Sequence, residues 1–543
     1  VAVGANALDA NTTGSSNVAV GKGALSVATT VDGNTAVGYD ALALSTTGEN
    51  LTAVGRSALL ANTTGNNNTA VGKQAGTAIT TGSSNTAVGK GSLASLTTGS
   101  ANTAVGLDAL AVNTGANNTA VGKDAMDATT TGGSNVAVGV NALGANTTGA
   151  RNVAMGYGAV DAATTASDNT GIGYDALSAA TTGASNTAVG KDSLKNNTQG
   201  ENTAVGALSM SANTTGGNNV AVGYNSLASN TTGGQNTAIG HAALDANTTQ
   251  SGTTAIGYGA GTDSNGAVQG VYVGSNAGAN VTTGNNNVLV GYGAGQAITT
   301  ATPIVAIGVS AYSQADGGAD NVAIGSNALL SCDGGAFYNT AVGAGAGYYI
   351  STGDYNISIG RAADQVTTNG AMNISIGASS KPSAAGSSFE TTLGYNVTGT
   401  GSSTFTFGNA ASDTTIAYGT TTWSNPSDLR IKEEIKDEEI GLSFINDLRP
   451  RTFRYRKEKD IPEELDAHVA DSEERFRTDK YQHGFIAQEV KEAIDKHNLK
   501  DGFDMWSEDP KDGRQRVGPT AVIPMLIKAI QELSAEVEKL KGA

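Results

Sequence analysis

Apolar and polar positions alternate in one short phrase, Asn34-Thr35-Ala36-Val37-Gly38, and versions of it return along most of the chain. Its closing glycine recurs 24 times from Gly4 to Gly394, in steps of 17 residues with two steps of 16 and one of 18. In the copy at Asn219 the side chains of Val220 and Val222 fall on one face and Ala221 on the other, as strand alternation requires. After the glycine, which permits a bend, an Ala/Leu pair supplies a second small apolar patch, and a polar run ending Thr-Thr-Gly supplies the next turn. Each unit therefore predicts one coil with two short strands and two turns. A fixed short period sustained this far marks a repeat architecture in which a unit buries its apolar face only against its neighbours. Stacked as parallel strands about 4.8 Å apart, the coils would make a rod of about 110 Å.

A coil of this size carries few apolar side chains, mostly Val, Ala and Leu. One such thin solenoid would leave much of that surface wet, and three chains about a common axis would cover it, so the pattern predicts a homotrimer. The Gly, Ser, Thr and Asn content would also suit a disordered linker, but Val, Ile and Leu at fixed phase argue against one. From Gly261 to Tyr355 the turns lose uniformity and carry Tyr312, Phe337, Tyr338, Tyr348 and Tyr349. Such aromatics either pack locally or provide ligand contacts on a rigid scaffold. After Gly394 the rhythm changes, and Phe405 and Phe407 at alternate positions are expected to plug the open end as a cap.

From residue 427 the pattern is of another kind. A helix is expected over 439–448, stopped by Arg449-Pro450. A strand follows over 452–456 with Phe453 and Tyr455 on one face, then a charged, mobile insertion at 457–480, a strand at 481–487 and a helix at 488–496. Finally Ile523, Leu526, Ile530, Leu533, Val537 and Leu540 step by 3, 4, 3, 4, 3, an a/d seam. Ile or Val at a with Leu at d suits two strands, so this helix alone does not demand a trimer. The fold class expected is an all-β repetitive stalk, a trimeric β-solenoid or β-roll of 17-residue coils over 1–394, with a β cap at 395–426. A small α+β domain ending in a coiled-coil helix completes it at 427–543.

Composition sharpens this division. Gly 74 against Pro 8, with aromatics at 5%, describes turns and small side chains rather than a large globular core. The segment 427–543 holds 48 of the 79 charged residues, and the boundary lies close to Pro426. A net charge of −17, tripled in a trimer, argues against nucleic acid as a partner. The single cysteine, Cys332, excludes a disulfide framework and is expected to be a small buried or turn residue. No apolar run of about 18 residues occurs, so no membrane insertion is expected. Glycine pairs such as Gly257-Tyr258-Gly259 lack the Lys-Ser/Thr of a phosphate loop and read as turn glycines; neither a cofactor nor a metal is expected. The many Asn-Thr-Thr triplets match a glycosylation acceptor, yet also suit tight turns, the reading favoured here. The chain starts at Val1 within a repeat, without a signal segment, and is expected to be a piece whose N-terminal anchor is missing.

Several ordered motifs in the last 117 residues carry a resemblance. They are Ser427-Asp428-Leu429-Arg430-Ile431-Lys432, the run from Gly441 to Pro450, Phe453-Arg454-Tyr455, the run from His483 to Val490, and Ala529-Ile530-Gln531-Glu532-Leu533. Together they resemble the endosialidase-type intramolecular chaperone, a self-cleaving serine peptidase domain at the end of phage tail fibres and tailspikes. The repeats resemble those of phage and bacterial tail fibre domain proteins and, more loosely, the heads of trimeric autotransporter adhesins. The resemblance implies a domain that holds three chains together while the stalk winds, then cuts itself off before the serine of S-D-x-R-x-K. Here that is the Pro426–Ser427 bond, with Ser427 as nucleophile, Lys432 as its base and His483 in an auxiliary role. A lysine serves as base only when burial or positive neighbours lower its pKa. A hydroxyl and an amine five residues apart, at the sharpest composition boundary, can meet if the segment turns.

The function expected is that of a trimeric phage tail fibre, a structural and adhesive rod of the virion that meets a host-surface glycan or protein. A bacterial cell-surface or secreted adhesin using the same chaperone is the alternative. A glycan-degrading tailspike would need paired acids in a cleft, whereas the repeats place few Asp or Glu, at scattered phases.

Overall fold

The computed structural model describes the chain apart from residues 333–334, 411, 421–428, 430–431, 466, 500–502, 510–512 and 543. The chain separates into two compact units, Val1–Pro426 and Ser427–Ala543.

In the first unit every copy of the repeated phrase is a short strand, from β1 (Ala2–Val3) through β24 (Thr391–Tyr395). Each pairs in parallel with the strand one coil on, so that Ala36 faces Ala53 and Val37 faces Val54. The constant period is what holds this register. β25 (Thr404–Asn409) continues the stack in parallel and β26 (Ser412–Ala417) turns back on it antiparallel. The unit is thus a long β-solenoid closed by a hairpin. Among the described residues it has one strand per coil, not two, because the Ala/Leu segment does not extend: Leu42 and Leu227, both at φ 52°, curl it into a turn. Left-handed leucine is uphill by about 1 kcal/mol or more, offset here by burial and by ladder bonds such as Leu42 N–H to the Ala58 carbonyl at 3.0 Å.

Strand alternation decides what is inside. Ala221 is fully buried, as are Leu42, Leu59 and Leu227, while Val220 beside Ala221 is 38% exposed. The alanine face and the leucine turn form the chain's own narrow core, and the β-branched face looks outward. The closing glycine is required by contact as well as by backbone: at Gly38, φ is 139° and a Cβ would lie 2.5 Å from the Gly55 carbonyl oxygen of the next coil.

The asparagine that opens most copies of the phrase is a stitch. Asn34 is fully buried; its Nδ2 donates to the Gly48 carbonyl at 2.9 Å, and its Oδ1 accepts the Leu51 N–H of the following coil at 2.8 Å. The asparagines of the Asn-Thr-Thr triplets are interior too. Asn213 and Asn230 are fully buried and hydrogen-bonded to each other at 2.7 Å, with no room for a glycan.

At the C-terminal end of the stack the interior turns polar: Ser358, Ser375, Thr392 and Thr406 take the alanine position. The cap differs from expectation here. Thr406 is the inward residue and Phe407 is 40% exposed, because β25 inherits the phase of the strands before it; backbone pairing with β26, not bulky side chains, closes the end. Of the less regular turns, Tyr312 and Cys332 are buried, whereas Tyr338 stacks in the open on Tyr355 with centroids 4.8 Å apart.

The second unit runs α1 (Leu442–Asp447), β27 (Arg451–Phe453), β28 (Gln482–Gly484), α2 (Ala487–Lys496), β29 (Trp506–Glu508), β30 (Gln515–Val517) and α3 (Ile523–Lys541). Both strand pairs are antiparallel. Phe444, Val490, Ile494, Met505 and Met525 form its core. The first helix starts later than the pattern suggests, with its Leu442 N–H held by Glu532 Oε2 at 2.7 Å. The two strands are shorter than expected. α3 spans the predicted seam, yet buries a different face: Met525 and Ala529 are interior while the seam residues Ile530 and Leu533 are 65% and 50% exposed.

Candidate functional site

Pro426 and Ser427, the expected cleavage bond and nucleophile, lie outside the described residues. Lys432, the expected base, is exposed, and its backbone N–H donates to the Leu429 carbonyl at 3.3 Å. The expected meeting of Ser427 with Lys432 therefore also lies outside the described residues. His483 is exposed on β28 opposite Thr452 of β27, with its Nδ1 3.1 Å from Thr452 Oγ1. A ring steadied by a neighbouring hydroxyl and open to solvent can orient or pass a proton.

Motif residues and their neighbours hold the unit together. Arg451 grips Glu489 with a two-point fork, Nε to Oε2 at 2.9 Å and a terminal nitrogen to Oε1 at 2.5 Å, pinning β27 to α2. The guanidinium holds the Glu489 carboxyl below its ordinary range. Asp447 at the end of α1 accepts from Lys496 Nζ at 2.7 Å and lies 2.6 Å from His497 Nε2. Lys496 first, then His497, keeps its carboxyl low. Phe444 stands edge-on to both His497 and Phe503, each with centroids 5.5 Å away. The charged run 457–480 carries a 3-10 turn at Glu458–Asp460 and is drawn together by Glu473, which binds Lys457 and Lys459 and is pulled down to about 2 by them.

These partners are not legible in the sequence. Arg451 and Glu489, Asp447 and His497, and Leu442 and Glu532 are separated by 38, 50 and 90 residues. The sequence supplied the order of the motifs, which brings each pair into the same unit, and nothing in the spacing named the pairs.

A long parallel β-solenoid followed by a small α+β unit, whose last helix shows an apolar seam to solvent, fits a tailspike-like or fibre-like protein. Residues 427–499 match the family model Peptidase S74, chaperone of endosialidase. The match spans α1, β27, β28 and α2 and ends before α3. No curated protein and no solved structure matches the chain. The C-terminal unit thus carries a chaperone-of-endosialidase domain, and at that level the family implies a peptidase that cuts its own chain.

Proposed function

We propose that the chain is a trimeric tail fibre of phage type, an adhesive rod whose C-terminal domain assembles three copies and then removes itself at Pro426–Ser427. The observation that carries this reading is that one chain leaves two apolar surfaces uncovered. One is the outward face of the stack, where Val71 and Ile256 are 38% and 39% exposed and a Val, Ile, Met, Leu or Phe stands at the same position in every coil. The other is the α3 seam, from Ile523 to Leu540. Apolar surface repeated at this regularity is the mark of a face meant for a partner, and identical copies are the partner that matches its period.

In the proposed cleavage the Ser427 hydroxyl attacks the Pro426 carbonyl carbon. Lys432, as the neutral amine, takes the hydroxyl proton and returns it to the departing Ser427 nitrogen. The peptide C–N bond breaks as an ester forms, and water hydrolyses that ester, leaving a carboxylate on Pro426 and a free amine and hydroxyl on Ser427. His483 assists by orienting groups at the cut. The receptor reached by the matured rod is a host-surface glycan or protein, and the fibre belongs to the virion.

Denaturing electrophoresis of wild type beside Ser427→Ala and Lys432→Ala tests the reading. Wild type should yield a shortened stalk chain and a released tail, and both variants a single full-length chain. Equal chain lengths in all three contradict it.

A further inference from the structure

Seven of the ten lysines and arginines in residues 1–426 occupy one position of the coil, the residue that follows the closing glycine. Tyrosine or histidine fills the same position in eight further coils. In-register stacking puts these side chains in a single line on the outside of the solenoid. Arg56, Lys73 and Lys90 are consecutive on that line and all exposed. Before them come Lys22 and Tyr39, the ammonium 5.8 Å from the centre of a ring that is half exposed.

The three consecutive cations differ from others on the line. Lys123 and Lys191 are each paired with the acid that follows, Asp124 at 2.8 Å and Asp192 at 2.5 Å. After Arg56, Lys73 and Lys90 come Ser57, Gln74 and Gly91, so the equivalent carboxylate is missing; Asp40 and Asp108 border the triplet one coil away on either side. Like charges about 4.8 Å apart repel one another, and the arrangement gains from a counter-charge of the same period. Because salt screens charge beyond about 10 Å, a partner lying on this line feels it more than the acidic excess elsewhere.

We propose that the line from Lys22 to Lys90 is a docking strip for a linear anionic polysaccharide with carboxylates along its length, laid parallel to the stack. An extended sugar chain advances per residue by about the spacing of one coil, so three successive carboxylates meet Arg56, Lys73 and Lys90 in turn. Tyr39 offers an exposed ring to the apolar face of a sugar. A nucleic-acid duplex fits less well, since its phosphates wind around an axis and touch a straight line only at intervals. The proposal rests on the adhesive-fibre reading and gives its ligand a chemistry and a place.

The test uses the full chain, with alginate as the polyuronate probe and dextran and duplex DNA as comparisons. Wild type should bind alginate with an affinity that falls as salt rises, and should ignore dextran. The triple variant Arg56→Gln/Lys73→Gln/Lys90→Gln should bind at least tenfold more weakly, and Lys381→Gln, at another position of the coil, as wild type does. The triple variant's chain lengths and particle mass should match wild type, which separates lost docking from failed maturation. Equal alginate binding by the triple variant overturns the strip, as does duplex DNA bound as tightly as alginate through the same residues. A wild type that matures normally but ignores alginate overturns the strip while leaving the fibre reading intact; one that neither cleaves nor assembles removes the reading beneath it.

Discussion

Asn219 donates its backbone N–H to the side-chain oxygen of Asn202, one coil earlier, at 3.0 Å, and its own Nδ2 donates to the Gly233 carbonyl at 2.9 Å. The Oδ1 of Asn219 in turn accepts the Asn236 N–H at 2.9 Å. These interior backbone groups are thereby satisfied from coil to coil by one residue type.

Replacing Asn219 by Ala leaves the Gly233 carbonyl and the Asn236 N–H buried without these partners, at a cost of about 2 kcal/mol. In a stack whose coils contact only their neighbours the effect stays local. Hydrogen exchange should show the Asn236 amide opening about 30-fold more readily, with amides several coils away unchanged. Unaltered exchange at Asn236 would contradict the stitching role.

The closing glycine admits no side chain. A Cβ on Gly223, at φ 138°, would lie 2.4 Å from the Gly240 carbonyl oxygen, whereas one on Gly217 meets nothing nearer than the flexible Gln199 side chain at 3.3 Å. Gly223→Ala should destabilise its coil by about 3 kcal/mol or more, and Gly217→Ala by less than about 1 kcal/mol. Limited proteolysis, cutting at the disturbed coil in the first variant only, checks the contrast.

Asp364 occupies the position of the buried leucine in the turn and is itself fully buried, with Oδ1 accepting the Thr367 N–H at 3.1 Å. Burial raises its pKa above the ordinary carboxylate value. For an acid shifted upward, the folded form holds its proton at pH values where the unfolded form has lost it. Stability therefore falls as pH climbs from the unfolded pKa toward the raised folded one. Asp364→Asn, which keeps the acceptor and removes the charge, should gain on wild type across that rise. Melting curves recorded from about pH 3 to 7 check this, and parallel pH dependences would count against it.

Leu533 is half exposed on α3, so a charge there costs an isolated chain little. If the seam is where copies meet, Leu533→Glu loses about 2 kcal/mol of burial per chain and adds charge repulsion at the contact. Assembly should drop at least tenfold, with cleavage failing alongside, while circular dichroism of the chain stays unchanged. Normal assembly of Leu533→Glu would mean that copies do not meet along the seam.

Much of the stalk was readable because its period is a physical constraint: a step of 17 residues puts Ala36 opposite Ala53, and no other register repeats. The alternation of Val220, Ala221 and Val222 was equally plain. Which of their two faces the chain keeps for itself was not, since that depends on how little room a coil this narrow has inside. The second strand failed for a conformational reason, because leucines such as Leu42 take the left-handed region that propensity assigns to glycine and asparagine. The inward Thr406 likewise follows from the phase of the strands below it, which composition does not record. In the C-terminal unit the motif order was legible, while the pairs Arg451–Glu489 and Asp447–His497 needed a fold to bring distant residues together.

Two further copies of the chain are proposed to complete the outward face and the seam. Multi-angle light scattering of full-length Ser427→Ala protein, which keeps the tail attached, measures this most directly. Particles of three chain masses are expected. A monodisperse single chain, or the pair that the seam pattern alone would favour, would contradict it.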